Sequence, residues 1–314
     1  MCHKDHIRSF VISGKFRNPL RIERYDVTMN KPCIIFLIQC PDRKGLVSSI
    51  STFFYERGFN ILSCQQYSDL ENGMYFMRIK VALEDLPTTR RQLEDEFSDF
   101  GKPMGLIWSV HYSDRVQRMA VLVSKTSHCL YDLLLRWKEN ELDCDIPLII
   151  SNHLVLEEAA GQFRMPFYYL PVDQANRTDQ EDSIRKLLKQ HHIDLVVLAR
   201  YMQILSPDFV KEYAGKVINI HHAFLPAFQG GNPYGRAYER GVKMIGATAH
   251  YATEDLDEGP IIEQDVERVN HECTSDQLKQ IGRDVERIVL SRAVQAHLER
   301  RIIVTGRRTV IFSS

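Results

Sequence analysis

Of the 314 residues, no apolar run approaches the roughly 20 that a membrane-spanning helix needs, which excludes a helical span. The chain also lacks a charge imbalance. Forty Lys and Arg against 41 Asp and Glu leave a net charge of −1, so there is no electrostatic case for nucleic acid as the main partner. No C-x-x-C pair occurs, and the seven cysteines (Cys2, Cys33, Cys40, Cys64, Cys129, Cys144 and Cys273) are odd in number. That pattern fits buried thiols in a reducing cytoplasm better than disulfides or structural zinc. A phosphate-cradling G-x-x-x-x-G-K loop, internal repeats and low-complexity tracts are missing too. The first 30 residues carry basic groups without a continuous apolar stretch. They read as an extension or an extra short element, not as a secretory signal.

What remains is an ordinary globular composition, 44% hydrophobic and 26% charged, in a chain long enough for two domains. The first 80 or so residues after the extension predict β-α-β-β-α-β. Cys33 to Gln39 is an apolar strand closed by Pro41-Asp42, and Gly45 to Gly58 carries Leu46, Ile50, Phe53 and Phe54 on one helical stripe. Asn60 to Ser68 and Met74 to Val81 flank the hairpin signal Glu71-Asn72-Gly73. Thr88 to Phe100 is a second amphipathic helix and Met104 to His111 a last strand. This order is a split β-α-β, with both helices on one face of the sheet.

After polar Ser113 to Arg118 the pattern changes. Met119 to Val123, Ile146 to Ile150, Phe167 to Leu170 and Asp194 to Leu198 are continuous apolar strands, and helices Cys129 to Asn140, Leu154 to Gly161 and Glu181 to His191 separate them. Unbroken apolar strands alternating with helices predict a doubly wound, mostly parallel sheet covered on both faces, with ligands beyond the carboxyl ends of the strands. Thr274-Ser-Asp-Gln277 is a capping box opening a long helix to about His297, and Ile302 to Val304 with Thr309 to Phe312 predict a terminal hairpin.

Chemistry concentrates in two segments. Val217-Ile-Asn219-Ile-His221 alternates, so Asn219 and His221 share one strand face, while His222 falls on the opposite face. Leu256-Asp257-Glu-Gly259-Pro260 follows His250. An amide donor beside an imidazole suits negative charge building on a carbonyl oxygen, and a carboxylate from another loop can orient the imidazole or a water. Singly, each residue is as well explained by a turn, a cap or a satisfied histidine. Cys129 beside His128 reads as structural, since chain neighbours rarely face each other.

Asn-x-His, then Leu225-Pro226, then Leu-Asp-x-Gly-Pro resembles the folate-dependent formyltransferases. His221 to Phe228, Ala237 to Lys243 and Ile245 to His250 resemble their deformylase branch. The resemblance runs from about Cys33 to Phe312. It implies that Asn219, His221 and Asp257 form the catalytic trio. It also implies that Met202, Gln203, Ile204 and Leu205, with Tyr251, Ala252, Thr253 and Asp255, bind the pteridine. The N-terminal module, with Asp42-Arg-Lys-Gly45-Leu46 at its first turn, resembles ACT domains, which implies effector contacts at Asp42, Gly45 and Asn60. The expected division is a 1–30 extension, a 31–113 ferredoxin-like ACT regulatory and dimerisation domain, and a 118–314 Rossmann-like formyltransferase-fold domain.

The resemblance implies a cytoplasmic homo-oligomer, dimer or tetramer, that hydrolyses 10-formyltetrahydrofolate to formate and tetrahydrofolate. It would supply formate for purine synthesis and balance the one-carbon pool. It would use no metal and no permanently bound cofactor, with methionine or glycine as effector. The rivals are formyl transfer to an amine of the glycinamide ribonucleotide type, and a non-catalytic folate or amino-acid sensor. Against transfer, Ser124-Lys-Thr-Ser-His128 replaces the Gly-Ser-Asn phosphate loop of the ribonucleotide transferases, although Lys125 or the hydroxyls could hold an anion. The added basic domain of the methionyl-tRNA formyltransferases is also missing. Three positions depart from the pattern: Ala223 stands for a serine, Gly231 for an alanine and Gly235 for a histidine.

Overall fold

The computed structural model describes residues 32–226 and 233–314. The readings of the 1–30 extension and of Gly231 lie outside the described residues. The chain separates into two compact units.

The smaller unit contains β1 (Cys33–Pro41), α1 (Leu46–Glu56), β2 (Ile61–Asp69), β3 (Met74–Ala82), α2 (Arg90–Gly101) and β4 (Ile107–Tyr112). They form an antiparallel sheet of order β2-β3-β1-β4, the ferredoxin-like arrangement expected of an ACT domain. Alternation along β1 divides its side chains. Ile34, Phe36 and Ile38 meet Ile50, Phe53, Phe54, Leu93 and Phe97 of the two helices. Cys33, Ile35 and Leu37, with Phe76 of β3, face the other way and pack against Ile303 and Phe312. Those two residues arrive from the end of the chain, because Glu299–Thr305 and Val310–Ser314 belong to this unit. The buried Arg78 of β3 fastens the return, its guanidinium donating to the carbonyls of Glu299 (2.9 Å) and Arg300 (2.8 Å).

The larger unit is built on a seven-stranded sheet of order β11-β10-β9-β8-β5-β6-β7. Its strands are β5 (Gln117–Val123), β6 (Cys144–Ser151), β7 (Phe167–Tyr169), β8 (Leu195–Leu198), β9 (Val217–His221), β10 (Met244–Tyr251) and β11 (Ile261–Arg268). The five from β5 to β9 are parallel; β10 is reversed and pairs antiparallel with both β9 and β11. On one face α5 (Arg177–Gln190) and α6 (Pro207–Glu212) bury Ile184, Leu188 and Phe209 against Ala120, Leu122, Val196 and Leu198. On the other, α8 (Ser275–Leu298) packs on β9, β10 and β11, with α3 (His128–Lys138) and α7 (Pro233–Glu239) beside it. The capping box opens α8 as expected: Thr274 N–H donates to Gln277 Oε1 (2.7 Å), and Gln277 N–H to Thr274 Oγ1 (3.3 Å). The chain fills the sheet outward through β6 and β7, then crosses back to β8 on the other side of β5. That reversal leaves a crevice at the carboxyl ends of β5 and β8.

None of the described helices is long and apolar enough to cross a membrane.

Candidate active site

A cavity of about 580 Å³ occupies this crevice. Its floor is the end of β9, and its sides are the segments that leave β5, β8 and β10.

Asn219 pairs directly with His250, and His221 with Thr248, across the antiparallel β9-β10 ladder. Directly opposed residues project to the same side, so amide and imidazoles meet by register alone. His221 Nδ1 lies 3.2 Å from Asp257 Oδ1 and donates to it. Its Nε2 is buried and has no hydrogen-bond partner among the described residues, although the ring lines the cavity. His250 Nδ1 donates to the Tyr251 carbonyl at 2.9 Å, so in the neutral ring Nε2 is an acceptor. It takes one N–H from Asn219 Nδ2 at 3.2 Å, which turns the amide nitrogen, not its oxygen, toward His250 and leaves the second N–H unused by that bond. His250 therefore orients Asn219.

Asp257 sits at φ 59°, a left-handed conformation that Asp tolerates better than most side chains. Burial alone would raise its pKa, but the hydrogen bond from His221 and the electrostatic pull of the two imidazoles outweigh it and hold the carboxyl well below the usual range. The group is an anion at any working pH. Gly259 explains the Gly-Pro after it: a Cβ there would lie 1.7 Å from the Tyr251 carbonyl oxygen, so only glycine lets the Asp257 loop return against β10.

The cavity gathers some of the residues expected to bind the pteridine. Met202, Gln203, Ile204 and Leu205 line the cavity, as do Ala252 and Thr253. Tyr251 and Asp255 do not. Tyr251 ends β10, is buried, and bonds through its hydroxyl to His297 of α8 at 2.7 Å. Asp255 is exposed, and its carbonyl is taken by Thr253 Oγ1. Ser124 is not open to an anion, since its hydroxyl donates to Asn152 and accepts from the backbone N–H of Met202. Ala223 is buried, and its carbonyl accepts from the Thr248 hydroxyl.

Two expectations about neighbouring residues are corrected. His222 does not turn away from His221: the rings stack 5.2 Å apart at 21°, because β9 ends at His221 and the chain bends there. His128 and Cys129 do converge. Their ligand-type atoms lie within 4.8 Å of one another and of Glu286 from α8, a cluster of metal-binding residue types that the sequence did not disclose. Glu286 is 1% exposed, yet its carboxylate is fully engaged. His128 Nε2 approaches Oε2 at 2.8 Å, Arg200 Nε approaches the same oxygen at 3.4 Å, and the Tyr234 hydroxyl donates to Oε1 at 2.6 Å. Burial alone would raise the Glu286 pKa, but these partners bring it below the ordinary value, while burial pushes the Cys129 thiol well up. A guanidinium against the carboxylate and a protonated thiol make this an ion-pair cluster, poorly suited to a cation. Arg200 adopts φ 64°, uncommon for so large a side chain.

Burial first, and the Arg200 charge second, push His222 down to about 4. The unfolded state then binds a proton that the folded state refuses between the ordinary histidine value of 6.5 and about 4. Stability should therefore fall as pH drops through that window. His222→Asn should flatten the slope, measured as melting temperature against pH.

In the smaller unit, Asp42 and Gly45 line a hollow with Leu46, Ser48, Gln66 and Tyr75 at the start of α1. Gly45 stands at φ 88° as the residue before that helix. Asn60 does not reach the hollow, and its backbone N–H donates to Asp85 Oδ2 at 2.9 Å.

Comparison with known proteins finds the formyl transferase profile at residues 117–294 and the ACT domain profile at 34–98. The formyltetrahydrofolate deformylase of Synechocystis is 50% identical over 277 residues, covering 88% of this chain and 97% of that one. The crystal structure of a formyltetrahydrofolate deformylase from Pseudomonas syringae pv. tomato superimposes with a TM-score of 0.87 at 43% identity, over 90% of this chain and 95% of that one. A more distant likeness, TM-score 0.60 at 28% identity over 65% of this chain and 97% of the other, is to glycinamide ribonucleotide transformylase 1 from Symbiobacterium toebii.

Proposed function

We propose, for a chain that belongs to the formyltetrahydrofolate deformylase family, that this cavity hydrolyses 10-formyltetrahydrofolate to formate and tetrahydrofolate. The observation that carries the reading is His221, with Nδ1 3.2 Å from Asp257, Nε2 unpartnered among the described residues, and Asn219 on the same strand face.

Hydrolysis of a formamide needs donors for the carbonyl oxygen as it becomes an oxyanion, a base for water, and a proton for the departing nitrogen. In the proposed roles, Asn219 Nδ2–H and protonated His221 Nε2–H hold the oxygen. Asp257 positions a water and takes its proton. The water oxygen bonds to the formyl carbon, the C–N10 bond breaks, and the proton returns to N10. None of these steps needs a metal, since the two donors supply the charge stabilisation. Met202 to Leu205 on one side and Ala252 with Thr253 on the other are the proposed walls for the flat pterin.

The enzyme is thus a hydrolase of an N-formyl group, with a folate as substrate and an ACT domain beside the catalytic fold. In this role it supplies formate for purine synthesis and balances the one-carbon pool. Beyond that, we place it in the cytoplasm as a homo-oligomer. An amino acid such as methionine or glycine is the proposed effector in the hollow at Asp42 and Gly45. The six described cysteines are all free, which supports a reducing compartment.

Purified protein should release formate and tetrahydrofolate in equal amounts from 10-formyltetrahydrofolate with no acceptor added. Turnover that waits for an added amine would overturn hydrolysis, and folate binding without turnover would favour a sensor.

A further inference from the structure

Asn219, His221 and Asp257 do not by themselves choose water. The transformylase from Symbiobacterium toebii shares the fold, and its name describes transfer to a ribonucleotide amine. Something else in this cavity must keep amines from the formyl carbon. Its folate walls come from the segments after β8 and β10; a separate wall comes from α3, α7 and α8.

That wall is closed by side chains bonded to one another. Gly282 notches α8: a Cβ there would lie 2.2 Å from the Tyr234 hydroxyl, so the glycine is what seats the tyrosine. Tyr234, 8% exposed, reaches Glu286 one turn further along α8. His128 bonds the other carboxylate oxygen, and Arg200 Nε lies 3.4 Å from it as an ion pair. The His222 ring lies 6.3 Å from that of Tyr234 and stacks on His221, so the closed wall continues to the reacting centre.

An amine acceptor arrives largely as an ammonium ion. It must be desolvated, held, and stripped of a proton, which calls for a carboxylate with open lone pairs. Glu286 is the buried carboxylate on this wall; one oxygen accepts from Tyr234, the other is bonded by His128, and the Arg200 guanidinium lies 3.4 Å away as an ion pair. Asp257 is shared between two histidines. Water is small and needs no such collection point.

We propose that the Glu286–Tyr234–His128–Arg200 cluster is the specificity determinant that commits this site to hydrolysis, by closing the wall formed by α3, α7 and α8 and withholding the buried Glu286 carboxylate from an amine. The inference rests on the hydrolase reading. In hydrolysis the water oxygen forms the new bond, and C–N10 breaks. In transfer an amine nitrogen would form it instead, its proton passing by way of Asp257 to N10. The two outcomes share tetrahydrofolate and differ only in where the formyl group ends.

The test is a product ratio, which does not depend on overall rate. Enzyme and 10-formyltetrahydrofolate are incubated with glycinamide, a small primary amine, and formate and N-formylglycinamide are both quantified. Wild type should give formate almost exclusively. Tyr234→Phe frees one carboxylate oxygen, and His128→Ala removes the hydrogen bond on the other, leaving the Arg200 charge 3.4 Å away. Each should raise the N-formylglycinamide to formate ratio about tenfold or more, the scale on which one lost polar contact changes selectivity. Glu286→Ala tests the carboxylate itself, and the first two variants keep the question open to test where it fails to fold. An unchanged ratio in variants that still make tetrahydrofolate overturns the proposal. So does loss of all tetrahydrofolate formation in folded Tyr234→Phe and His128→Ala, which would put the cluster in the water step. Formylglycinamide as the main product of wild type would instead remove the hydrolase reading beneath it.

Discussion

Replacing Asp257 with asparagine should lower kcat by about 10²–10⁴-fold, the range for removing a positioned general base, while KM for the folate changes little. The swap keeps size and shape, so the pterin walls are not disturbed. It removes the charge that faces His221 Nδ1 at 3.2 Å and His250 Nε2 at 3.7 Å. Without that anion the protonated form of His221 loses its counter-charge, and the water loses its base. The same substitution should lower stability at neutral pH. The folded pKa of Asp257 lies below its unfolded value, so its ionised form stabilises the fold above the ordinary carboxylate range. That contribution fades as pH falls toward the folded value. The difference in melting temperature between wild type and Asp257→Asn should therefore shrink in strong acid. A variant that turns over at a wild-type rate would remove Asp257 from the chemistry altogether.

Asn219→Ala should cost about 10²–10³-fold in kcat, the usual loss for one oxyanion donor, again with KM close to wild type. In its proposed role the amide is already oriented. His250 is tied to the Tyr251 carbonyl and receives one Asn219 N–H, so the amide needs no reorientation as charge develops on the formyl oxygen. Asn219→Asp is the sharper companion. It keeps the shape but replaces a donor with an acceptor, and it should do at least as badly as alanine. Comparable loss of folate binding in Asn219→Ala would mean that the amide serves the ground state and not the oxyanion.

Much of this was legible in the chain. Val217 to His221 emerges as β9 with the bounds that alternation gives, because five residues ending in a polar face leave little freedom. The ACT order follows from its hairpin signal and two amphipathic stripes. The parallel core follows from its unbroken apolar strands. β11 was not foreseen: Ile261–Arg268 reads IIEQDVER, mostly half-buried or exposed, and it is the edge of the sheet, where apolar patterning is weak. Tyr251 and His222 were misplaced for one reason. Both stand at the end of a strand, where the alternation rule stops applying or the last side chain is recruited by a helix. Glu286 is the residue hardest to read from sequence. The apolar stripe of α8 includes Val285, yet Glu286, one turn after Gly282, lies on the buried side as well. An acidic residue beside such a stripe looks solvated until its partners from α3, α7 and the segment after β8 are known, and no local pattern supplies them.

The packing of Ile303 and Phe312 on the sheet of the smaller unit carries a practical consequence for fragments. A piece cut at residues 32–116 would keep its helices and yet lay bare Cys33, Ile35, Leu37 and Phe76, an oily surface with no lid. Such a piece should clump in isolation, and adding the last sixteen residues as a separate peptide, Glu299 to Ser314, is the natural remedy. Stop codons within 299–305 would likewise harm the smaller unit first, although those residues are remote from 32–116 in sequence.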